Sequence, residues 1–339
     1  MMRPTIIGLF VFMLSYHAGA QDPNFSQFFA SPLTLNPALT GKFDGMLRVA
    51  GNYRNQWPTI FNAFRTGTVS ADFQLLSRQI PLNDQFGMGF TGMYDENGNG
   101  VMKNSYYSAS LAYHKGLDEI GYHHLGVGLS GTFAQRNLNP GKLIFEDQLT
   151  SLGFTGNTAE LLSGNQNINL NYFSLNAGIL YSGSITDDDQ FYAGVSVYHV
   201  NRPEKSFQGN GFLAKERFTL HGGGYFPVAE GTTLYLSGNC QWQNGASELI
   251  AGGTLGRTVK EDKDQPVNVY AGGWFRVGDA VIPYVGMDIS SFRIGVSYDI
   301  NVSGLAQASR RQGGMELSLI YVQRYADKTR RYLPCPTNF

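Results

Sequence analysis

Residues 292–301 read Phe-Arg-Ile-Gly-Val-Ser-Tyr-Asp-Ile-Asn. Phe292, Ile294, Val296, Tyr298 and Ile300 share one parity; Arg293, Gly295, Ser297, Asp299 and Asn301 share the other. Successive side chains of a strand point to opposite faces, so this is a strand with one greasy and one wet face. The same pattern recurs along almost the whole chain, in segments of about ten residues. In 106–114, Tyr107, Ala109, Leu111 and Tyr113 oppose Tyr106, Ser108, Ser110 and His114. In 315–321, Met315, Leu317, Leu319 and Tyr321 oppose Glu316 and Ser318. The simplest fold is an all-β transmembrane antiparallel barrel. Glu316 is then expected in the lumen, because a carboxylate facing lipid is costly. A soluble sandwich or propeller would share the alternation but bury its apolar face in a dry core, and would expect more surface lysine.

Composition agrees with a barrel. Charged residues make up 15% of the chain, low for a soluble protein. Glycine (42), Phe (23) and Tyr (19) are abundant, as tight turns and interfacial aromatic girdles require. Charge is balanced, 25 basic against 26 acidic, which argues against a nucleic-acid partner. Residues 1–20 read as a signal peptide: Arg3, a mostly apolar run from Ile6 to Tyr16, and Ala18-Gly19-Ala20 as cleavage site.

Candidate strands are 44–54, 64–76, 85–95, 103–115, 122–136, 170–184, 189–200, 214–226, 232–243, 246–257, 265–277, 279–288, 290–301 and 313–326. This count of fourteen is even and lets an antiparallel barrel close, leaving no edge for the bilayer. The organisation expected is a signal peptide (1–20), an N-terminal docking or plug segment (21–43), the barrel (44–326) and a tail (327–339). Both termini are expected in the periplasm of a Gram-negative cell, with the longer loops near 55–63, 137–169 and 201–213 outside. Loop 137–169 could hide one more hairpin, which would make sixteen strands.

Several motifs dissolve in this context. Gly87-Met88-Gly89-Phe90-Thr91-Gly92 and Gly126-Val127-Gly128-Leu129-Ser130-Gly131 match a dinucleotide-binding run. That run needs a helix after a strand, and both stretches lie inside strands; a small inward face explains them. Asp95 to Gly100 resembles a calcium loop, but Tyr106 stands where a bidentate Glu is needed, so a hairpin turn is expected. His123 and His124 are adjacent in a strand and face opposite sides. No catalytic constellation, metal site or cofactor is expected. Cys240 falls on the lipid face and Cys335 in the tail, too far apart to bridge.

The N-terminal stretch is the most distinctive. Residues 21–42 read QDPNFSQFFASPLTLNPALTGK, followed by Tyr53-Arg54-Asn55-Gln56-Trp57-Pro58. Pro32 and Pro37 forbid a continuous helix or central strand. Phe25, Phe28, Phe29, Leu33 and Leu35 are too greasy for a free tail. The segment should dock, in the lumen or beneath the barrel. Arg54 needs buried acceptors, and Glu316 or Asp299 are candidates.

These two stretches resemble the start of the PorP/SprF family of outer-membrane proteins of the type IX secretion system. Leu143-Ile144-Phe145-Glu146-Asp147-Gln148, Ser297-Tyr298-Asp299-Ile300 and Leu333-Pro334-Cys335-Pro336 also fit. Met315-Glu316-Leu317 departs from the family's pattern, as do Thr337 and Asn338 near the end. The resemblance implies a non-enzymatic barrel of Bacteroidetes that assists export, or surface anchoring, of large adhesins, in some members for gliding motility. It implies as partners an adhesin C-terminal domain, a periplasmic peptidoglycan-binding protein, the secretion motor and ring components, and outer-membrane lipid.

Candidate motif residues are Gln27, Asn36, Pro37, Tyr53, Arg54, Gln56, Trp57, Phe145, Asp147, Gln148, Arg330 and Arg331. For the 53–57 motif the alternatives are barrel closure and partner binding. For loop 137–169, with Leu149, Leu152, Phe154, Leu161 and Leu162, they are a partner surface and a lid over the mouth. Lys328, Arg330 and Arg331 could meet an acidic periplasmic partner. The competing function is transport of hydrophobic small molecules, which expects a greasy lumenal pocket.

Overall fold

The computed structural model describes residues 22–324, except 61–63, 76–78, 152, 155–157, 159–166, 187, 207–210, 212 and 261–266. The expected leader, the tail with Lys328, Arg330, Arg331 and Cys335, and Leu152, Leu161 and Leu162 lie outside the described residues.

The chain forms a closed antiparallel barrel. Its strands are β1 Leu47–Gln56, β2 Phe64–Leu75, β3 Gln85–Asn97, β4 Met102–Gly116, β5 His124–Leu138, β6 Ile168–Gly183 and β7 Gln190–Tyr198. The second half comprises β8 Arg217–Ala229, β9 Thr232–Gln243, β10 Ala246–Lys260, β11 Val267–Arg276, β12 Ala280–Ile289, β13 Phe292–Asn301 and β14 Gln312–Gln323. Each strand pairs with the next, and β14 pairs with β1 to close the seam. Between β5 and β6 the described residues add one separate two-stranded hairpin, Leu149–Thr150 with Gly153–Phe154, and the closed barrel itself has fourteen strands.

Burial is inside out relative to a soluble β-protein. In β13 the pattern alternates strictly, with Phe292, Ile294, Val296, Tyr298 and Ile300 exposed and Arg293, Gly295, Ser297, Asp299 and Asn301 buried. The same inversion runs through β5, where Leu125, Val127 and Leu129 point outward. A soluble sandwich would bury those side chains; a bilayer solvates them. An outward aromatic row, Tyr107–Phe133–Phe173, runs across β4, β5 and β6. One step further along these strands the outward residues become Ser105, Gln135 and Asn171, which marks the edge of the apolar band.

The barrel has two unlike rims. The near rim holds the start of β1 and the end of β14; the far rim holds the β1–β2 connection. The three longest connections, 139–167, 199–216 and 302–311, all lie at the far rim. One expectation changes. Both termini are expected on one side, and the strands themselves do begin and finish at the near rim. Residues 22–46, however, run lengthwise through the lumen before β1 begins. Asp22 therefore sits at the far rim, bonded to Gln243 and His199, while Gln323 lies at the near rim beside Met46.

The glycine-rich runs are only partly as expected. Gly87, Gly89, Gly126 and Gly128 do point inward, and a side chain on Gly87, Gly89 or Gly128 would strike the lumenal segment. Gly92 and Gly131 face outward. Asp95–Gly100 is a strand end and hairpin turn, with Gly98, Asn99 and Gly100 at positive φ.

The bilayer-facing assignment has a depth-dependent signature. Leu129→Lys, mid-strand and 62% exposed, should lower unfolding free energy in lipid by about 2–4 kcal/mol. Val259→Lys, at the near end of β10, should cost about 0–1 kcal/mol. Equilibrium denaturation in lipid vesicles, compared between the two variants, reads this difference.

Candidate functional site

The site is the lumen and the segment that fills it. Prolines break this segment into short pieces: a 3-10 turn Phe28–Ala30, one α-turn Pro32–Leu35 (α1), and a 3-10 turn Pro37–Leu39. Such pieces leave many backbone groups without internal partners, and these must be satisfied by the wall. Three stations do so.

At the far station, Glu316 of β14 accepts the backbone N–H groups of Ser26 (2.6 Å) and Gln27 (2.8 Å). Gln27 donates to Ser297 Oγ (2.9 Å) and accepts from Ser318 Oγ (2.7 Å). Ser26 Oγ donates to Asp299 (2.8 Å) and accepts from Arg276. Arg54 pairs with Asp299 at 3.0 Å and with Glu316 at 3.4 Å, and donates to the Asn24 carbonyl (3.0 Å). Arg276 adds ion pairs to Asp299 (2.9 Å), Asp279 (3.1 Å) and Glu248 (3.1 Å). Arg54 and Glu316 face each other directly across the β1–β14 seam. Residues 53–56 of the motif lie in that seam, and Arg54 meets both of its candidate acceptors.

At the middle station, Asn36 Nδ2 donates to the carbonyls of Ile179 (3.1 Å) and Val195 (3.2 Å), and lies 3.0 Å from His221 Nε2. Its Oδ1 accepts from Ala38 N–H (2.8 Å). The Asn36-Pro37 bend fits a cradle of Gly128, Gly178 and Gly194 on three neighbouring strands. A Cβ on any of them would collide with Asn36, Pro37 or Ala38. The carbonyls of α1 are capped by the wall: Tyr198 OH donates to Leu33 (3.1 Å), Arg217 to Thr34 (3.0 Å) and Ser196 Oγ to Leu35 (2.7 Å).

At the near station, Asp72 accepts from Gly41 N–H (2.8 Å) and pairs with Arg48 (2.8 Å), whose guanidinium lies 4.9 Å from the centre of the Phe43 ring. Between the stations Phe29 packs on Trp274 (4.7 Å) and Tyr284 (5.6 Å), within a cluster that includes Phe28, Leu35, Leu39, Ile250 and Ile282. The greasy residues of the segment therefore have a core of their own inside a polar wall.

Asp22 crowns the segment. It contacts His199 (2.7 Å) and Lys205 (3.1 Å), with Arg217 at 3.9 Å. Burial alone would raise its carboxyl, but its contacts with His199, Lys205 and Arg217 hold it well below the usual range. A residual cavity of about 60 Å³ beside it is lined by polar groups such as Asp22, Tyr106, His199 and Arg217 and by apolar ones such as Leu33 and Met93.

Gln27, Asn36, Pro37 and Arg54 thus converge on the lumen. Tyr53 does not; it faces lipid, 47% exposed. Gln56 and Trp57 sit at the far rim, Trp57 at positive φ with its ring 5.5 Å from Phe64. Asp147 and Gln148 belong to a single 3-10 turn, Glu146–Gln148, in the far-rim connection, and Phe145 caps it, its N–H donating to Gln148 Oε1 (2.8 Å). Leu149 and Phe154 in that connection are exposed rather than packed over the mouth. Cys240 is a free thiol on the outward face. Motif reading missed Ser26, Arg276 and the glycine cradle; inward parity was the signal for Arg276, and nothing in the sequence links the three glycines.

The family profile described as "Type IX secretion system membrane protein PorP/SprF" matches residues 17–321. An outer-membrane barrel with an occupied lumen is the class defined by fold and site. The chain belongs to the PorP/SprF family of type IX secretion system membrane proteins. No curated protein matches the sequence. Among solved structures, the Ralstonia pickettii toluene transporter TbuX is similar, with TM-score 0.51 and 9% identity over 87% of this chain and 94% of that one. The Pseudomonas putida toluene transporter TodX gives TM-score 0.48 and 11% identity over 86% and 92%. At such identities the likeness concerns the barrel alone.

Two variants separate the stations. Arg54→Ala strands Glu316 and Asp299 in the lumen and should cost about 3–5 kcal/mol, read as a lowered thermal transition in detergent. Gly178→Val should leave the outer wall intact but unseat Asn36, read as increased single-channel conductance in planar bilayers relative to wild type.

Proposed function

We propose that this protein is a non-enzymatic outer-membrane component of the type IX system, assisting export or surface anchoring of large adhesins, with the far rim on the outside of the cell. The observation that carries this reading is the family membership together with a lumen pinned shut by its own chain. Such a barrel offers its rims, not a channel, as working surfaces. The orientation rests on loop length: periplasmic turns are short and surface loops long, and 139–167 and 199–216 both belong to the far rim. The near rim and the tail 327–339 then face the periplasm, where a peptidoglycan-binding protein and the secretion motor would be met. In this orientation Asp22 is at the cell surface. A role in gliding motility would follow from the adhesin carried.

The competing reading is transport of hydrophobic small molecules. It expects a greasy lumenal pocket large enough for a ligand, whereas the cavity beside Asp22 is only about 60 Å³ and sets Leu33 and Met93 among Asp22, His199 and Arg217. Affinity purification of the tagged barrel from native membranes separates the two. Copurification of a large exported chain, identified by mass, supports anchoring. Recovery of the barrel with bound apolar small molecules and no exported chain would refute it.

A further inference from the structure

The far rim is uneven, and the step in it exposes a strand edge. β6 begins at Ile168, and β5 pairs with it along its whole length, from Leu138↔Ile168 to His124↔Ser182. On its other side β6 pairs with β7 only from Ala177 onward. Beyond Tyr198 the chain turns away: His199 and Arg202 have positive φ, and Lys205 reaches back to Asp22 over the lumen mouth. Among the described residues, the last contacts on this edge are made by Val200 N–H, which donates to the Leu175 carbonyl (3.0 Å), and by one side chain. Asn201 Oδ1 accepts from Leu175 N–H (2.9 Å), and its Nδ2 donates to the Phe173 carbonyl (2.8 Å). A side-chain amide there stands in for the peptide group of a neighbouring strand.

Backbone direction repeats every second residue in a strand. Asn169 and Asn171 therefore aim their N–H and C=O groups the same way as Phe173 and Leu175, one and two steps above Asn201. Both residues are exposed, and both lie beyond the aromatic row that ends at Phe173. An open edge inside the bilayer would be intolerable; outside it, the edge is a template for one more strand. Its lumen-side face carries the row Met102–Leu138–Ile168 across β4, β5 and β6, with Leu170 next along β6. Alternate apolar side chains of an added strand would continue that row.

We propose that the Ile168–Tyr172 edge of β6 captures an extended segment of the exported polypeptide by β-strand addition, with main-chain bonds to Asn169 and Asn171 supplying the grip. This rests on the anchoring function proposed above. It adds that recognition is made through backbone hydrogen bonds rather than through side chains of the long loops.

Proline at 171 tests the backbone specifically. It removes an N–H that points away from β5, so barrel pairing is kept, as at other edge strands. The probe is the exported chain that copurifies with the wild-type barrel. Asn171→Pro should keep heat-modifiable gel migration yet recover roughly tenfold less of that chain, while Asn171→Ala recovers it normally. Amide exchange gives a second readout that needs no variant: Asn169 and Asn171 should exchange fast in the free barrel and slowly in the complex. Equal recovery by Asn171→Pro, slow exchange in the free barrel, or protection arising from pairing with a second copy of this protein would each overturn the edge proposal. If wild type itself recovers no exported chain, the anchoring function fails instead.

Discussion

Two buried carboxylates, Glu316 on β14 and Asp299 on β13, hold the molecule together at its one non-sequential joint. Taken alone, each would be prohibitively expensive inside a bilayer-embedded cylinder. Arg54 on β1 and Arg276 on β11 compensate part of that cost. The backbone amides of Ser26 and Gln27 compensate another part, since both carboxylate oxygens of Glu316 are occupied by them. Seam and filler are therefore one electrostatic unit. Removing the segment would uncover an anionic patch, and removing either arginine would loosen both the seam and the segment.

This coupling explains the otherwise costly composition of the segment. Its prolines prevent regular secondary structure, so its carbonyls and N–H groups cannot pair among themselves. The wall answers with Tyr198, Ser196, Arg217, Asp72 and Gln74, each satisfying a specific main-chain atom. Irregular backbone at membrane depth is tolerated only where protein surrounds it, and here it is surrounded on every side. The apolar cluster around Phe29 and Trp274 supplies the solvent-averse contribution that the polar wall could not.

Much of the architecture was legible because its period is two. Strand edges inferred from alternation fall within a few residues of those observed; 232–243 coincides with β9. The cost of a carboxylate facing lipid sent Glu316 to the lumen and made it, with Asp299, a candidate acceptor for Arg54; Arg54 and Glu316 meet in direct register. The filler was harder to read. Its greasy residues announced docking, but without periodicity nothing gave its depth or direction, so its far-rim end came as a correction. The cradle for Asn36 was invisible because Gly128, Gly178 and Gly194 come from three strands, with the 139–167 connection between the first two.

The lengthwise course of residues 22–46 bears on the order in which the molecule is built. The segment leaves the ribosome before any strand, whereas Glu316, which seizes it, belongs to the final one. A curved sheet of thirteen strands would have to wrap around an object already in place. The first residues then act as a mandrel, and the closing strand docks against a surface made jointly by β1 and that mandrel. Correct closure and correct filling would be checked in the same event, so an empty cylinder would leave its last carboxylate with Arg54 but without the two amide ligands the segment brings.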